Sequence, residues 1–330
     1  MGSPSSDNPE IQFPVEPWLE REQVYVPPLP PPRPERLTRY IILFLLTLVT
    51  TTLTGADWYG SFLIGFSRNT LPFGAWELII RGLWYSLSVL AILGAHEFGH
   101  YYACRYYRVD VSLPYFLPMP FLLTGTLGAF IRIRQPIPGK RALFDIGIAG
   151  PIAGFLVAIP VLFIGMYLSR IEALPETFEG AVFEIGEPLL FKAAAWLTFG
   201  SLGDDYTVNM HPMAFVAWFG MLATALNLFP FGQLDGGHIS YAVLGRKSTA
   251  VSMGTLACLV GLSFVSSSWI AWTVLMLVML VTLGPRHPRT FDDEVPLDST
   301  RLWLAAFAVL MFVLCFTPAP IEPLDLVTTR

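Results

Sequence analysis

Seven apolar stretches constrain this 330-residue chain more than any other feature. They cover 39–55, 82–104, 143–168, 212–230, 249–265, 268–284 and 302–317. A helix crosses the hydrocarbon core of a bilayer with about 20 residues, within a range of about 17–25. The runs therefore predict an all-α polytopic membrane protein with about seven transmembrane helices. Composition agrees: 14% of residues are charged, against about 25% in a typical soluble chain. Only "SSS" separates the fifth run from the sixth, which predicts a tight helical hairpin.

Basic residues alternate between the loops. Arg33, Arg36 and Arg39 precede the first run, and Arg105, Arg108, Arg132, Arg134, Lys140 and Arg141 lie between the second and third. Arg246 and Lys247 follow the fourth, and Arg286, Arg289 and Arg301 precede the seventh. The intervening loops are poor in Lys and Arg, and the longest, 169–211, is acidic. By the positive-inside rule the amino terminus is cytoplasmic and the carboxyl terminus lies outside. The expected location is a bacterial cell membrane, and no secretory signal peptide is expected.

The chain divides into a proline-rich tail (1–38), a first span with its outer loop (39–77), a central region (78–290) and a final loop with its span (291–330). The tail favours extended, solvated structure. A net charge of −5 with no basic cluster gives no reason to expect nucleic acid. Cys104, Cys258 and Cys315 are widely spaced and read as small buried apolar residues. "SLPYFLPMPFLLTGTLGAFIRIR" (112–134) is broken by Pro and Gly and ends in an alternating pattern. It predicts a short membrane-associated β segment. "EPLLFKAAAWLTFG" (187–200) predicts an interfacial or re-entrant helix. Asp145 reads as the N-cap of the third span, and His211-Pro212 as the start of the fourth. Trp58, Tyr59, Trp76, Trp84, Tyr85 and Trp303 read as interfacial aromatics.

The second run carries "HEFGH" at 96–100. On a helix His96 and His100 share one face about one turn apart, so two imidazoles can bind one Zn2+. Glu97 beside them can take a proton from water, the HExxH arrangement of zinc hydrolases. Ionisable groups within a membrane cost several kcal/mol and mark function by default. Zinc needs a third protein ligand at the same depth. His211 and His287 belong to loop ends, whereas Asp235 and His238 follow the fourth run on the same side as the end of the second. Pro230 breaks the helix there, and Gly236 and Gly237 permit tight turns.

His96-Glu97-Phe98-Gly99-His100 together with Asn227-x-x-Pro230-x-x-x-Leu234-Asp235-Gly236-Gly237 resembles the site-2 protease family of intramembrane zinc metalloproteases. "FDIGIAGPIAGF" (144–155) is similar to the span between the two motifs in that family. The resemblance covers roughly 78–290 and is nearest to members without a PDZ domain, in bacteria and chloroplasts. It implies that His96, His100 and Asp235 bind zinc, and that Glu97 is the general base. It implies that Asn227 holds the substrate or polarises its carbonyl. It also implies that Gly125, Thr126, Leu127, Gly128, Ala129 and Phe130 form a β segment pairing with an extended substrate. The substrate class would be transmembrane proteins within the lipid bilayer. Gly154 departs from members with asparagine there. The rival class is a metal transporter or a non-catalytic metal-binding membrane protein. It would need polar groups through the full depth, yet the outer halves of the second and fourth runs are apolar.

Overall fold

The computed structural model describes residues 36–66, 73–121, 123–174, 182–203, 205–284, 290 and 295–324. The tail before residue 36 lies outside the described residues, as do Glu176, Glu179, Asp204, Arg286, His287 and Arg289.

In chain order the helices are α1 (Leu37–Ile64), α2 (Ala75–Tyr106), α3 (Lys140–Leu168), α4 (Leu189–Phe199), α5 (Pro212–Asn227), α6 (Asp235–Leu244), α7 (Ser248–Leu262), α8 (Ser268–Leu283) and α9 (Ser299–Cys315). Among the described residues, α1, α2 and α3 are long and apolar enough to cross a membrane; α4, α5, α8 and α9 are apolar but shorter. Counting apolar runs overstates helix length where the backbone turns early. The fourth run extends to Pro230, yet α5 ends at Asn227 and residues 228–234 form turns. The helical hairpin is present: α7 and α8 pack together, with Ser263 Oγ 2.9 Å from Thr273 Oγ1.

Small residues let α1 and α2 approach closely. A Cβ on Gly82 would lie 2.3 Å from the Thr52 carbonyl oxygen, and one on Gly55 would lie 2.5 Å from that of Gly82. Thr51 and Ser86 hydroxyls hydrogen-bond at 2.6 Å across the same seam. Close approach and interhelical hydrogen bonds are what hold helices together where lipid removes the hydrophobic drive. α3 is the central helix, packed against α2, α4, α5, α6 and α9. The core around it includes the fully buried Trp218, Trp269, Tyr85 and Phe144.

The expected β segment is an antiparallel pair, β1 (Tyr115–Pro118) with β2 (Thr126–Phe130), Tyr115 opposite Phe130 and Leu117 opposite Gly128. The pairing shifts register between Leu117 and Pro118. Gly125 and Gly128 have φ of 70° and 104°, conformations that exclude most side chains. The hairpin lies along α1. Tyr40 Oη donates to Tyr115 Oη at 2.9 Å near one end, and Trp58 Nε1 donates to the Leu123 carbonyl at 2.9 Å near the other. Those 18 residues of α1 rise about 27 Å, so the hairpin follows the helices through most of their length. Its tip also accounts for a correction. Tyr85 is buried and donates to the Thr124 carbonyl at 3.1 Å, and Tyr59 is buried too, so neither is a lipid-facing interfacial aromatic. Trp76, Trp84 and Trp303 are exposed, whereas Trp58 stacks on Phe215. Cys104 and Cys315 are buried, but Cys258 is exposed on α7.

At the opposite end, β3 (Arg170–Ala173) pairs with β5 (Tyr206–Asn209), and β4 (Val182–Ile185) with β6 (Ile321–Leu324), all antiparallel. No sequence pattern announces these four-residue strands. The expected helix at 187–200 is α4, too short to cross. His211 caps α5: its Nδ1 accepts from the Met213 N–H at 3.3 Å, and Pro212 occupies the first turn. Its ring is buried against Tyr59, Phe62 and Trp84. Burial lowers its pKa to about 4, well under the unfolded value of about 6.5. The unfolded chain therefore binds this proton first. Stability from His211 is full above pH ~6.5 and falls as pH drops towards ~4. We expect His211→Asn, which keeps a capping acceptor, to lose less stability than wild type between pH 7 and pH 4.5. Thermal unfolding in detergent checks this; equal losses would contradict it.

Candidate metal centre

α2 and α6 bring three ligating groups together from sequence positions more than 130 apart. His96 and His100 lie on one face of α2, both buried, ten and six residues before its end at Tyr106. Asp235 is the first residue of α6. That position exists because the chain leaves α5 at Asn227 and turns sharply through 228–234. Gly236 and Gly237 let α6 begin against its own approach: a Cβ on Gly236 would stand 2.0 Å from the Leu228 carbonyl oxygen, and one on Gly237 2.3 Å from that of Gly232.

The donor atoms form a near-equilateral triangle. His96 Nε2 and His100 Nε2 are 3.1 Å apart, and each is 3.3 Å from Asp235 Oδ2. A tetrahedral zinc with bonds of about 2.0–2.1 Å requires ligand-to-ligand edges of about 3.3 Å. His100 Nδ1 lies 2.7 Å from the Ile146 carbonyl. A carbonyl only accepts, so Nδ1 carries the proton and a neutral His100 presents the Nε2 lone pair to the triangle. Two imidazoles and a carboxylate crowded at this spacing and largely withdrawn from solvent fit a divalent cation. Three protein donors leave one coordination position open, as catalytic zinc sites require.

α3 is the wall behind the site. A Cβ on Gly150 would sit 2.1 Å from His100 Nε2, and one on Gly154 3.1 Å from the His96 Cβ. A Cβ on Gly147 would lie 2.9 Å from the His238 Cβ. The three glycines, at spacings of three and four, share one face and leave room for three imidazoles. Glycine at 154, a departure from the family pattern, thus faces His96. His238 packs on α3 rather than completing the donor triangle.

Two further groups converge. Asn227 Nδ2, at the last residue of α5, is 3.3 Å from His96 Nε2. Glu97 is buried within electrostatic range of His96, His100 and Asp235, and the Ile131 backbone amide lies near its carboxylate. Ile131 immediately follows β2, so the hairpin reaches the centre at this level. Of the expected strand residues, Leu127 and Phe130 are exposed, while Thr126 is buried with its Oγ1 donating to the Leu117 carbonyl at 2.7 Å.

Sequence reading missed the Ile146 carbonyl, the Ile131 N–H and Gly150. Only the Gly147-Gly150-Gly154 spacing could have pointed to the last. It also misread Asp145. α3 begins at Lys140 with Gly139 as its N-cap, so Asp145 lies inside the helix. Its carboxylate pairs instead with Arg301 of α9, Oδ1 accepting from Nε at 2.9 Å.

The profile of Peptidase family M50 matches residues 84–268, which hold every donor just described. "Probable zinc metalloprotease EGY2, chloroplastic" of Arabidopsis thaliana is 29% identical over 74% of this chain and 43% of its own length. The protein of that name in Oryza sativa subsp. indica is 30% identical over 76% of this chain and 45% of its own. "Probable zinc metalloprotease EGY1, chloroplastic" of Arabidopsis thaliana is 27% identical over 70% and 42%. The alignments thus span less than half the length of these relatives. With the matched segment covering more than half the chain, this protein belongs to peptidase family M50, the site-2 protease family.

Proposed function

We propose that this chain is an intramembrane zinc metalloprotease that hydrolyses peptide bonds of transmembrane proteins. The observation that carries the reading is the His96–His100–Asp235 triangle, largely buried and sized for zinc, with the Glu97 carboxylate beside it. The printed names of the relatives, which describe zinc metalloproteases, support the same chemistry.

His96, His100 and Asp235 hold the metal. When bound, zinc supplies Lewis acidity to the attacking water and the scissile carbonyl. Glu97 accepts the proton of that water and delivers it to the leaving amine. Asn227 donates from its amide to the scissile carbonyl oxygen, whose charge grows during attack. A substrate helix has its own carbonyls hydrogen-bonded, so it must unwind locally. The exposed side of β2 supplies replacement backbone partners by strand addition. Seven crossings with a cytoplasmic amino terminus, as the Lys and Arg alternation implies, put the centre nearer the cytoplasmic face.

The test is cleavage in reconstituted vesicles with a single-span peptide substrate. We expect a cut within the span that stops on chelation and returns with added zinc. The transporter reading expects zinc uptake into the vesicles and an intact peptide, and that result would overturn the proposal.

A further inference from the structure

We propose that Arg301, on the carboxyl-terminal helix α9 and outside the family-matched segment, is a positioning residue for the metal centre. The inference rests on the zinc assignment above and extends it to a part of the chain to which nothing so far assigns a role.

Arg301 stands in the first turn of α9, where Asp298 is the N-cap. Asp298 Oδ1 accepts from the Arg301 backbone N–H at 3.1 Å, and its Oδ2 accepts from the guanidinium. That N–H and the guanidinium hold the Asp298 carboxyl below the usual carboxylate range. The guanidinium is thereby aimed back at α3. Its Nε and a terminal nitrogen grip both oxygens of Asp145, and the same terminal nitrogen donates to Tyr107 Oη at 3.2 Å. Tyr107 closes the triangle by donating to Asp145 Oδ2. Fork-to-fork pairing of this kind fixes geometry as well as adding energy. The Arg301 and Asp145 side chains are only 21% and 25% exposed, which separates the pair from a solvated surface bridge.

The consequence follows from sequence neighbours. Asp145 precedes Ile146, whose carbonyl accepts from His100 Nδ1. Tyr107, the C-cap of α2, follows His100 by seven residues, about two turns, which brings it to the same side of the helix. The seam between α2 and α3 thus has two polar rungs. One orients a metal-ligating imidazole, and Arg301 locks the other. Between them lie Cys104 and Ile146, packed in one buried apolar cluster. Removing Arg301 leaves Asp145 held only by the Tyr107 hydroxyl, and the resulting shift passes to the Ile146 carbonyl through one peptide unit.

The experiment uses the full chain in detergent or nanodiscs. Zinc affinity is read by chelator competition, and site geometry by the visible absorption of the cobalt-substituted protein. We expect Arg301→Ala to weaken zinc binding about tenfold, the lower end of the 10–100-fold range for groups that orient metal ligands, and to change the cobalt spectrum. Arg301→Lys should recover part of the loss. Asp145→Asn should match Arg301→Ala, and the double variant should be no worse than either single one. Tyr107→Phe deletes one hydroxyl, so it keeps the test available if Arg301→Ala fails to fold; it should weaken binding two- to threefold. Unchanged affinity and spectrum in Arg301→Ala or, failing that, in Tyr107→Phe would overturn the inference. So would additive losses in the double variant. Absence of zinc from the wild-type protein would instead sink the proposed function itself.

Discussion

Gly150→Ala is expected to empty the metal centre while leaving the helices folded. The added Cβ would lie 2.1 Å from His100 Nε2 and 2.5 Å from both Cδ2 and Cε1. All three distances fall far inside van der Waals contact, so the ring must move. It cannot move and keep both its hydrogen bond to the Ile146 carbonyl and its place in the donor triangle. A displaced ligand should weaken zinc binding by at least 100-fold, the upper end of what altered ligand orientation costs. Helix propensity works the other way: alanine favours a helix over glycine by about 1 kcal/mol. That gain offsets part of the cost of moving the ring, typically about 1–3 kcal/mol for an overpacked site, so the apo protein should stay folded with only a modest loss of stability. Gly154→Ala is the internal comparison, because its Cβ would meet the His96 Cβ at 3.1 Å, a contact that small adjustments relieve. Chelator competition on both variants checks the ranking. Equal affinities for Gly150→Ala and wild type would mean that α3 does not back the site.

The histidine pair was legible because its spacing is local, whereas Asp235, with His238 close by, was singled out by the family resemblance. His96 and His100 are four apart on a helix. The wall behind them was not legible, because nothing local says that Gly150 faces an imidazole on another helix. Asp145 shows how a boundary error becomes a wrong role. Placing the helix start at 143 makes Asp145 resemble a cap, whereas the true start at Lys140 puts it in mid-helix with a partner 156 residues away. Apolar runs overcounted α5 for a related reason. Phe229 and Pro230 are apolar but serve the turn that delivers Asp235. Tyr85 was read as interfacial because aromatic residues near span ends usually are; the hairpin tip supplies it with a buried acceptor instead. The β3–β5 and β4–β6 pairs carry no run of alternation long enough to notice.

Glu97→Gln has the larger expected effect on rate. Glutamine keeps the size of the side chain, but it cannot take a proton from water. General-base catalysis contributes about 10²–10⁴-fold, so cleavage should fall by at least 100-fold. The donor triangle does not include Glu97, so the zinc content should stay at one ion per chain. Few variants separate the two roles so cleanly, because loss of His96, His100 or Asp235 would remove metal and activity together.

Metal content and single-turnover cleavage, measured on the same preparations of wild type and Glu97→Gln, test the central claim most directly. The account predicts one zinc per chain in both, with cleavage within the substrate span only in the wild type. Zinc missing from the glutamine variant, or a cut at the wild-type rate in its presence, would contradict it.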